Sequence, residues 1–266
     1  MKEAVVAPKR ARRSVQSVDR ALDLVEALAA ADGEVSITAL ATRTGLHVST
    51  VHRLLSTLLR RGYVRQNPET SRYYAGPKLA MLAEGRSRFG DMRMRARPIL
   101  HAITESTRET ANLVVLDDTA AVYIETVPSP QVVRLFTAVG NRVPLHATGA
   151  GKCLLAALPA AARDALIDRL ELRPYTPHTI VDPAALRRAL DEARERGFTI
   201  DDEEYDDGVR CVAVPVGGTG DAIAAISVSA PASRLTRQRC LELVPMLRRS
   251  ASELAAAVRD RHDAAS

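Results

Sequence analysis

Two helical patterns separated by one glycine, between residues 36 and 62, constrain the fold more than any other feature of the sequence. Ser36 can cap the first helix, whose Ala41 is small enough to let a second helix cross closely. Gly45 suits the left-handed backbone of a tight interhelical turn. The second helix runs from about residue 48 to 61, and Gly62 ends it. The predicted inward positions are Leu40, Ala41, Val51, Leu54, Leu55 and Leu58, at helical spacing. This spacing predicts a helix-turn-helix.

The flanking segments complete a winged form of this motif. A preceding helix, with Ser17 as its predicted cap, stops at Asp32-Gly33. Its predicted inward face consists of Val18, Ala21, Leu22, Val25 and Leu28. After Gly62, residues 63–65 and 72–74 predict two short strands around the turn Asn67-Pro68-Glu69-Thr70. That hairpin is the predicted wing, so residues 17–77 form a winged helix-turn-helix domain.

The second helix of the motif exposes polar groups once its apolar positions face inward. Short polar and basic side chains of this kind read base edges in a major groove, and arginines beside them contact phosphates. The predicted base-reading residues are Ser49, Thr50, His52, Arg53 and Thr57, and the predicted phosphate contacts are Arg60, Arg61, Arg65 and Arg72. Two alternatives are open: a winged helix that serves only protein contacts, and His52 as a metal ligand. His52 lacks Cys or His neighbours at ligand spacing.

The distribution of charge favours DNA binding over the alternatives. The net charge is +5, but residues 1–80 hold 13 Lys and Arg against 7 Asp and Glu, whereas the rest of the chain holds 24 against 25. The positive excess therefore lies where a polyanion would bind. Residues 1–16 contain Lys9, Arg10, Arg12 and Arg13 without periodicity, which predicts a basic flexible arm. A merely solubilising tail is the alternative for that arm.

The cysteines and the hydropathy of the sequence indicate the cellular compartment. Cys153, Cys211 and Cys240 are an odd number without CxxC spacing, which argues against a disulfide framework and a structural zinc site. No apolar run approaches the roughly 18 residues of a membrane span, and residues 1–13 lack the apolar core of an export signal. We therefore expect a cytoplasmic protein without a metal, a cofactor or a membrane partner.

The length of 266 residues favours two unequal domains. Beyond Gly76-Pro77, residues 78–95 predict a linker helix with Leu79 and Leu82 on one side, and residues 96–262 predict the second domain. Helices are predicted at 92–107, 150–158, 160–170, 183–196 and 234–261, and strands at 112–116, 121–127, 132–137, 209–216 and 223–229. This order predicts an α+β domain with a mainly antiparallel sheet and flanking helices.

Candidate binding groups in the second domain permit more than one interpretation. The run Thr148-Gly149-Ala150-Gly151 opens a helix, so its free amides suit a carboxylate, although a tight helix start explains the pattern too. It is not a P-loop, because His146 and Cys153 replace the residues that such a loop requires. Ser227 and Ser229 share one face of a strand, either as pocket hydroxyls or as ordinary alternation.

Two further features carry reactive groups. The acidic run at residues 201–204 could hold a metal or act in catalysis, but consecutive acids on a turn are usually solvated. Cys211 follows Arg210, which could lower the pKa of the thiol, yet a strand cysteine is more often a small core residue. A wall of a pocket is therefore the preferred role for Cys211.

The sequence over about residues 15–262 resembles the IclR-type bacterial transcription regulators. The segments that carry the resemblance are STVHRLL at 49–55, YAGPKL at 74–79, VPLHATGAGK at 143–152, DDEE at 201–204, GVRC at 208–211 and AISVS at 225–229. The resemblance implies a GAF-like effector-binding domain. It implies a pocket for a small metabolite at Gly149, Ala150, Asp201, Cys211, Ser227 and Ser229, with apolar walls at Val132, Leu135, Val143 and Val209.

These features together predict a regulator of a catabolic or metabolic operon. Two winged helices of a homodimer would occupy half-sites of a near-palindromic operator in duplex DNA. The linker helices would pair and transmit the binding of a small organic acid, and tetramers as dimers of dimers are usual in such families. One rival is an enzyme with Cys211, His146 and Asp201 as nucleophile, base and orienter. Another rival is a structural nucleoid protein without a discrete operator.

Overall fold

The structure, a computed structural model, describes residues 15–31, 33–84, 89–217 and 222–264. The chain divides into two compact units, Met1–Ser87 and Arg88–Ser266, and separate apolar clusters form their cores. Most of the predicted basic arm lies outside the described residues, as do residues 85–88 of the predicted linker. In the described ranges, no helix combines the length and the apolar character needed to cross a bilayer.

The first unit is a winged helix-turn-helix. Its elements are α1 (Gln16–Ala29), α2 (Ile37–Thr44), α3 (Val48–Arg60), β1 (Val64–Gln66), β2 (Tyr73–Ala75) and α4 (Pro77–Glu84). Ser36 caps α2 by accepting a hydrogen bond of 3.2 Å from the amide of Ala39, and Gly45 ends the helix at φ +66°. Val51 and Leu55 of α3 are buried against Leu40 of α2. The predicted motif and its turn are confirmed.

The predicted face of α1 is partly wrong. The helix begins at Gln16 after Val15, with Ser17 inside its first turn, and no side chain caps it. Val18 and Leu22 are each 53% exposed, whereas Leu24 and Leu28 are buried. Apolar residues occupy more than one side of this helix, so their spacing is compatible with two stripes. Contacts of α1 with α2, α3 and β2 select the stripe that contains Leu24.

The second unit is an antiparallel sheet with helices on both faces. Its elements are α5 (Gly90–Thr107), β3 (Thr110–Asp117), β4 (Ala120–Val127), β5 (Arg142–Pro144), α6 (Gly149–Ala157), α7 (Ala160–Ile167), α8 (Pro183–Arg196), β6 (Thr199–Asp202), β7 (Val209–Val216), β8 (Ala224–Pro231) and α9 (Arg237–Ala264). The six strands lie in the order β5-β4-β3-β8-β7-β6. The predicted α+β class is confirmed.

Alternation along the strands divides the core into two layers. Leu113 and Ile226 belong to the layer that packs against α5 and α9, whereas Val114 and Ala225 belong to the layer that packs against α6 and α8. The second layer continues at one end of the strands into polar side chains. Those polar side chains form the candidate site described below.

One predicted strand in this unit is wrong, and two observed strands were not predicted. Residues 132–137 form no strand, and Ala120 to Val122 of β4 pair instead with β5, which was not predicted. The edge strand β6 is absent from the sequence-based prediction, because its acidic end indicated a turn. Its backbone nevertheless pairs with β7 from Thr199 to Asp202.

Candidate functional site

The first unit presents the predicted DNA-reading side chains on the outer side of α3. Burial of Val51 and Leu55 turns the opposite side of the helix to solvent. Ser49, His52, Arg53 and Thr57 are exposed, and Thr50 is half-buried. At the start of α3, Nδ1 of His47 lies 2.9 Å from Oγ of Ser49 and accepts from its amide at 3.4 Å. The predicted polar face therefore begins at a capped helix terminus.

The predicted phosphate contacts lie at the end of α3 and on the wing. Arg60, Arg61, Arg65 and Arg72 are all exposed. The strands β1 and β2 pair antiparallel, with Arg65 opposite Tyr74, and an isolated backbone bridge joins Val35 to Tyr73 of the wing. Arg72 directly precedes β2.

The second unit brings four predicted effector residues together on one face of its sheet. Asp201 pairs with Cys211, Cys211 pairs with Ser229, and all three are buried, so they form a row across β6, β7 and β8. Ser227 lies two residues before Ser229 on the same face of β8. We call these four residues, Asp201, Cys211, Ser227 and Ser229, the polar row. A Cβ atom placed on Gly149 would come within 3.0 Å of Sγ of Cys211, so the first turn of α6 packs closely against this row.

A buried asparagine joins this row to neighbouring hydroxyls. Nδ2 of Asn112 donates to Oγ of Ser227 at 3.4 Å and to Oγ of Ser229 at 3.5 Å. Its Oδ1 accepts from the hydroxyls of Thr126, at 3.2 Å, and Thr137, at 3.0 Å. Asn112 was not among the predicted site residues, although an amide inside the apolar strand from Ala111 to Leu116 is a recognisable signal.

Burial controls the ionisation of the acid and the thiol in this site. Burial raises the pKa of Asp201 to about 7, although a hydrogen bond from the amide of Glu204, at 2.8 Å, favours the ionised form. Burial raises the pKa of Cys211 to about 12, and the nearby Asp201 adds to the shift. The suggestion that Arg210 lowers the thiol pKa is therefore wrong, and Cys211 is a neutral thiol near pH 7.

The acidic run is not a solvated turn, contrary to the sequence analysis. Asp201 is 3% exposed, and Glu204 is buried in an ion pair with Lys152 of α6. The amine of Lys152 also donates to the carbonyl of Ile200 at 2.9 Å, which occupies a backbone acceptor at the free edge of β6. Glu203, which lies between Asp201 and Glu204 in the chain, has a left-handed backbone at φ +63°. In the described part of the chain, no group of acids, histidines and cysteines is arranged to hold a metal ion.

The side chain of Arg210 connects the acidic run to the start of α9. It forms ion pairs with Asp202 and Glu203, and it donates to the carbonyls of Ala232 at 3.0 Å and Leu235 at 2.8 Å. Asp202 also pairs with Arg237 in the first turn of α9. The segment that begins at the buried Asp201 is therefore attached to the first turn of α9 and to the residues that directly precede it.

The remaining predicted pocket residues differ in their surroundings. Ala150 and Val143 are buried in the layer under α6, while Val209 and Leu135 are half-buried. Val132 is 97% exposed in the stretch without regular structure, so it forms no buried wall here, and its binding role remains a prediction. His146, the base of the rival enzyme hypothesis, lies 3.0 Å from the carbonyl of Arg173 through Nε2. Burial lowers its pKa.

Two family profiles cover nearly all of the described chain. A profile described as "IclR helix-turn-helix domain" matches residues 17–68, and one described as "Bacterial transcriptional regulator IclR C-terminal" matches residues 89–256. The first match lies in the winged unit, and the second contains the sheet with its polar row.

Curated relatives and solved structures agree with these profiles. The chain is 37% identical to the acetate operon repressor of Salmonella typhimurium, over 90% of this chain and 89% of the relative. It is 36% identical to the transcriptional repressor IclR of Escherichia coli, over 95% and 93%. The Thermotoga maritima IclR structure matches with a TM-score of 0.73, 29% identity and coverage of 91% and 98%. An IclR homologue from Microbacterium hydrocarbonoxydans, complexed with 4-hydroxybenzoate, matches with a TM-score of 0.72, 25% identity and coverage of 92% and 99%.

Proposed function

The chain belongs to the IclR family of bacterial transcriptional regulators, and on that premise we propose that it binds a near-palindromic operator in duplex DNA under the control of a small organic acid. The family consists of transcriptional regulators, not enzymes. The observation that carries the proposal is that one chain contains both an exposed polar helix face in its first unit and a buried polar row in its second.

Sequence reading is assigned to α3 and phosphate binding to the wing. Arg53 is exposed on the side of α3 opposite Val51 and Leu55, and it has the geometry to donate two bonds to guanine. Arg65 and Arg72 contribute charge to backbone phosphates and carry no sequence information by themselves. Operator choice therefore depends on α3, whereas the salt dependence of affinity includes the wing.

The chemistry of the polar row supports an acid as effector. Amides in the first turn of α6, next to Gly149, favour a negative group at the positive end of the helix dipole. The hydroxyls of Ser227 and Ser229 can donate hydrogen bonds to the same negative group. The carboxyl of Asp201, with a pKa near 7, can also donate a hydrogen bond in its protonated form. A neighbouring IclR structure holds 4-hydroxybenzoate, which is a carboxylic acid.

The acidic run is the proposed route from the pocket to the helices. A ligand that contacts Asp201 competes for the carboxylate that holds the amide of Glu204. The same turn carries Asp202, which binds Arg210 and Arg237 at the start of α9. Helix α9 packs against α5, the helix at the start of the second unit. Ligand binding would then shift a pre-existing equilibrium of this layer.

Self-association is proposed through apolar side chains that the first unit leaves exposed. Val18 and Leu22 are exposed on α1, and Met81 and Leu82 are exposed on α4. A twofold contact between copies of the chain would cover these apolar side chains. A twofold dimer would place two copies of α3 on half-sites about one helical turn of DNA apart.

Selection of duplexes from a random pool by the purified full-length chain tests operator binding. We expect an inverted repeat, followed by loss of binding when the cognate small acid is added. The acid is found by measuring thermal shifts of the full-length chain with a panel of carboxylic acids. Enrichment of no discrete motif would contradict the operator proposal and favour a structural nucleoid protein.

A double variant, Ser227→Ala with Asp201→Asn, tests the pocket assignment. It removes one hydroxyl and one titratable proton from the polar row while keeping an oxygen that can accept from the amide of Glu204. We expect unchanged operator affinity and no response to the acid. Ser250→Ala, a change on α9 away from the polar row, is the matched control. A full response in the double variant would refute the pocket assignment.

A further inference from the structure

Glu34 lies between α1 and α2, and both of its carboxylate oxygens are occupied by the turn of the wing. Nδ2 of Asn67 donates to Oε1 at 2.6 Å, and the hydroxyl of Thr70 donates to Oε2 at 2.7 Å. Residues 67 and 70 belong to the predicted wing turn, whereas Glu34 is more than thirty positions earlier in the chain. The carboxylate therefore connects the tip of the hairpin to the helical part of the unit.

The other hydrogen bonds of the turn are mostly internal to the wing. Oδ1 of Asn67 accepts from the amides of Glu69, at 2.9 Å, and Thr70, at 3.3 Å, and the amide of Asn67 donates to the carbonyl of Arg72 at 2.9 Å. These bonds define the shape of the turn but not its position. The strands of the hairpin are held by the buried Val64 and Tyr73 and by the backbone bridge between Val35 and Tyr73, with two bonds of 2.8 Å. The two bonds to Glu34 attach the tip.

The charge of Glu34 is unfavourable for DNA binding on simple electrostatic grounds. The hydrogen bonds from Thr70 and then Asn67 lower its pKa, so it is ionised at neutral pH. Arg72 also contributes to that lowered pKa, so the negative charge lies near a residue proposed to bind phosphate. An acid in this position would repel the DNA backbone unless it served another purpose.

We propose that Glu34 is a positioning residue that fastens the wing, so that Arg65 and Arg72 reach the phosphates of bound DNA. This inference rests on the proposed function of those arginines. Fastening reduces the conformational freedom that the hairpin would otherwise lose on binding. The two effects of Glu34 have opposite signs: removing its charge alone would tighten DNA binding, whereas releasing the wing would weaken it.

Glu34→Ala in the full-length chain separates these two effects. Affinity is measured by fluorescence anisotropy with a random-sequence duplex over a range of salt concentrations. At about 0.1 M salt we expect binding roughly tenfold weaker. Each lost phosphate contact should also make the negative slope of log affinity against log salt shallower by about 0.9. Glu26→Ala removes an exposed acid from α1 of the same unit and is the matched control, for which unchanged or slightly tighter binding is expected.

Thr70→Val separates the hydrogen bond from the charge. The carboxylate of Glu34 remains, but the donor to Oε2 is gone, together with the bond of 3.3 Å that the same hydroxyl accepts from the amide of Arg72. We expect weaker binding in this variant too, although its formal charge equals that of the wild-type chain. It also provides a test if Glu34→Ala fails to fold, which circular dichroism and the unfolding temperature would reveal.

A double-mutant cycle with the wing arginines distinguishes positioning from general destabilisation. If Glu34 acts through the wing, adding Glu34→Ala to Arg65→Ala and Arg72→Ala weakens binding no further. Additive losses, or tighter binding by Glu34→Ala alone, would overturn the inference. If the two arginine substitutions themselves leave affinity and salt slope unchanged, the proposed phosphate contacts fail instead, and the inference with them.

Discussion

The two units of this regulator place their functional side chains in opposite environments. In the winged unit the candidate DNA-reading groups are exposed on one helix, and the core beneath them is apolar. In the sheet unit the candidate effector groups are buried and meet from three strands and a helix start. In the winged unit, stability and function therefore depend on different side chains. In the sheet unit, the same buried polar groups contribute to both.

The largest expected effect concerns the independence of the two cores. Leu55→Ala empties a fully buried position under α3, and we expect a loss of about 3 kcal/mol in the free energy of unfolding of the winged unit. Chemical denaturation followed by circular dichroism should show a lower denaturant midpoint for the winged unit and an unchanged midpoint for the sheet unit. Leu190→Ala, at a fully buried position of α8, should produce the converse. A single transition shifted equally by both substitutions would contradict separate units.

A smaller effect is expected from pH, and it should be confined to the sheet unit. The pKa of Asp201 is raised from an unfolded value of about 3.9 to about 7. The folded state therefore holds a proton that the unfolded state releases between these values, so stability falls as pH rises through this window. Relative to Asp201→Asn, we expect the free energy of unfolding of the wild-type chain to fall by roughly 2 kcal/mol as pH rises from about 5 to 7.

Urea denaturation of both proteins at several pH values measures this difference. The lost stability should fall within the transition of the sheet unit, because Asp201 lies in that unit. Asp207→Asn, an exposed acid after β6, is the matched control and should follow the wild-type curve. Parallel curves for the wild-type chain and Asp201→Asn would show that the carboxyl titrates with an ordinary pKa.

The smallest expected change in free energy separates affinity from stability in the winged unit. Arg53→Ala should weaken binding to a selected operator by about 1–2 kcal/mol, since one base-reading arginine is lost. Its exposed position predicts a change in unfolding free energy within about 0.5 kcal/mol. Operator titration and thermal unfolding check the two quantities. Arg20→Ala on α1 is the control, and equal losses of affinity in both variants would remove the special role of Arg53.

Prediction from the sequence succeeded best where a feature is local. The cap at Ser36, the turn at Gly45 and the buried Val51 were all predicted, because each depends on neighbours within one or two helical turns. The face of α1 was only partly correct, since that helix has apolar residues on more than one side. Spacing alone does not decide which of two stripes other elements will cover.

The sheet unit was less predictable for two physical reasons. Residues 132–137 have the composition of a strand, but composition does not specify a pairing partner, and the segment that pairs with the start of β4 is β5. The acids at residues 201–204, in β6 and directly after it, indicated a turn because their partners, Lys152 and Arg210, lie elsewhere in the chain. Asn112 stands out in the sequence as an amide inside an apolar strand, but only the structure shows which four hydroxyls it contacts.

The exposed polar face of α3 was determined by the sequence alone. A helix repeats every 3.6 residues, so the buried Val51 and Leu55 fix the direction of Arg53 without reference to the rest of the chain. The polar row of Asp201, Cys211 and Ser229 was decided by the tertiary structure. Strand pairing depends on backbone hydrogen bonds that are the same for nearly every residue, so only the register selects which distant side chains meet.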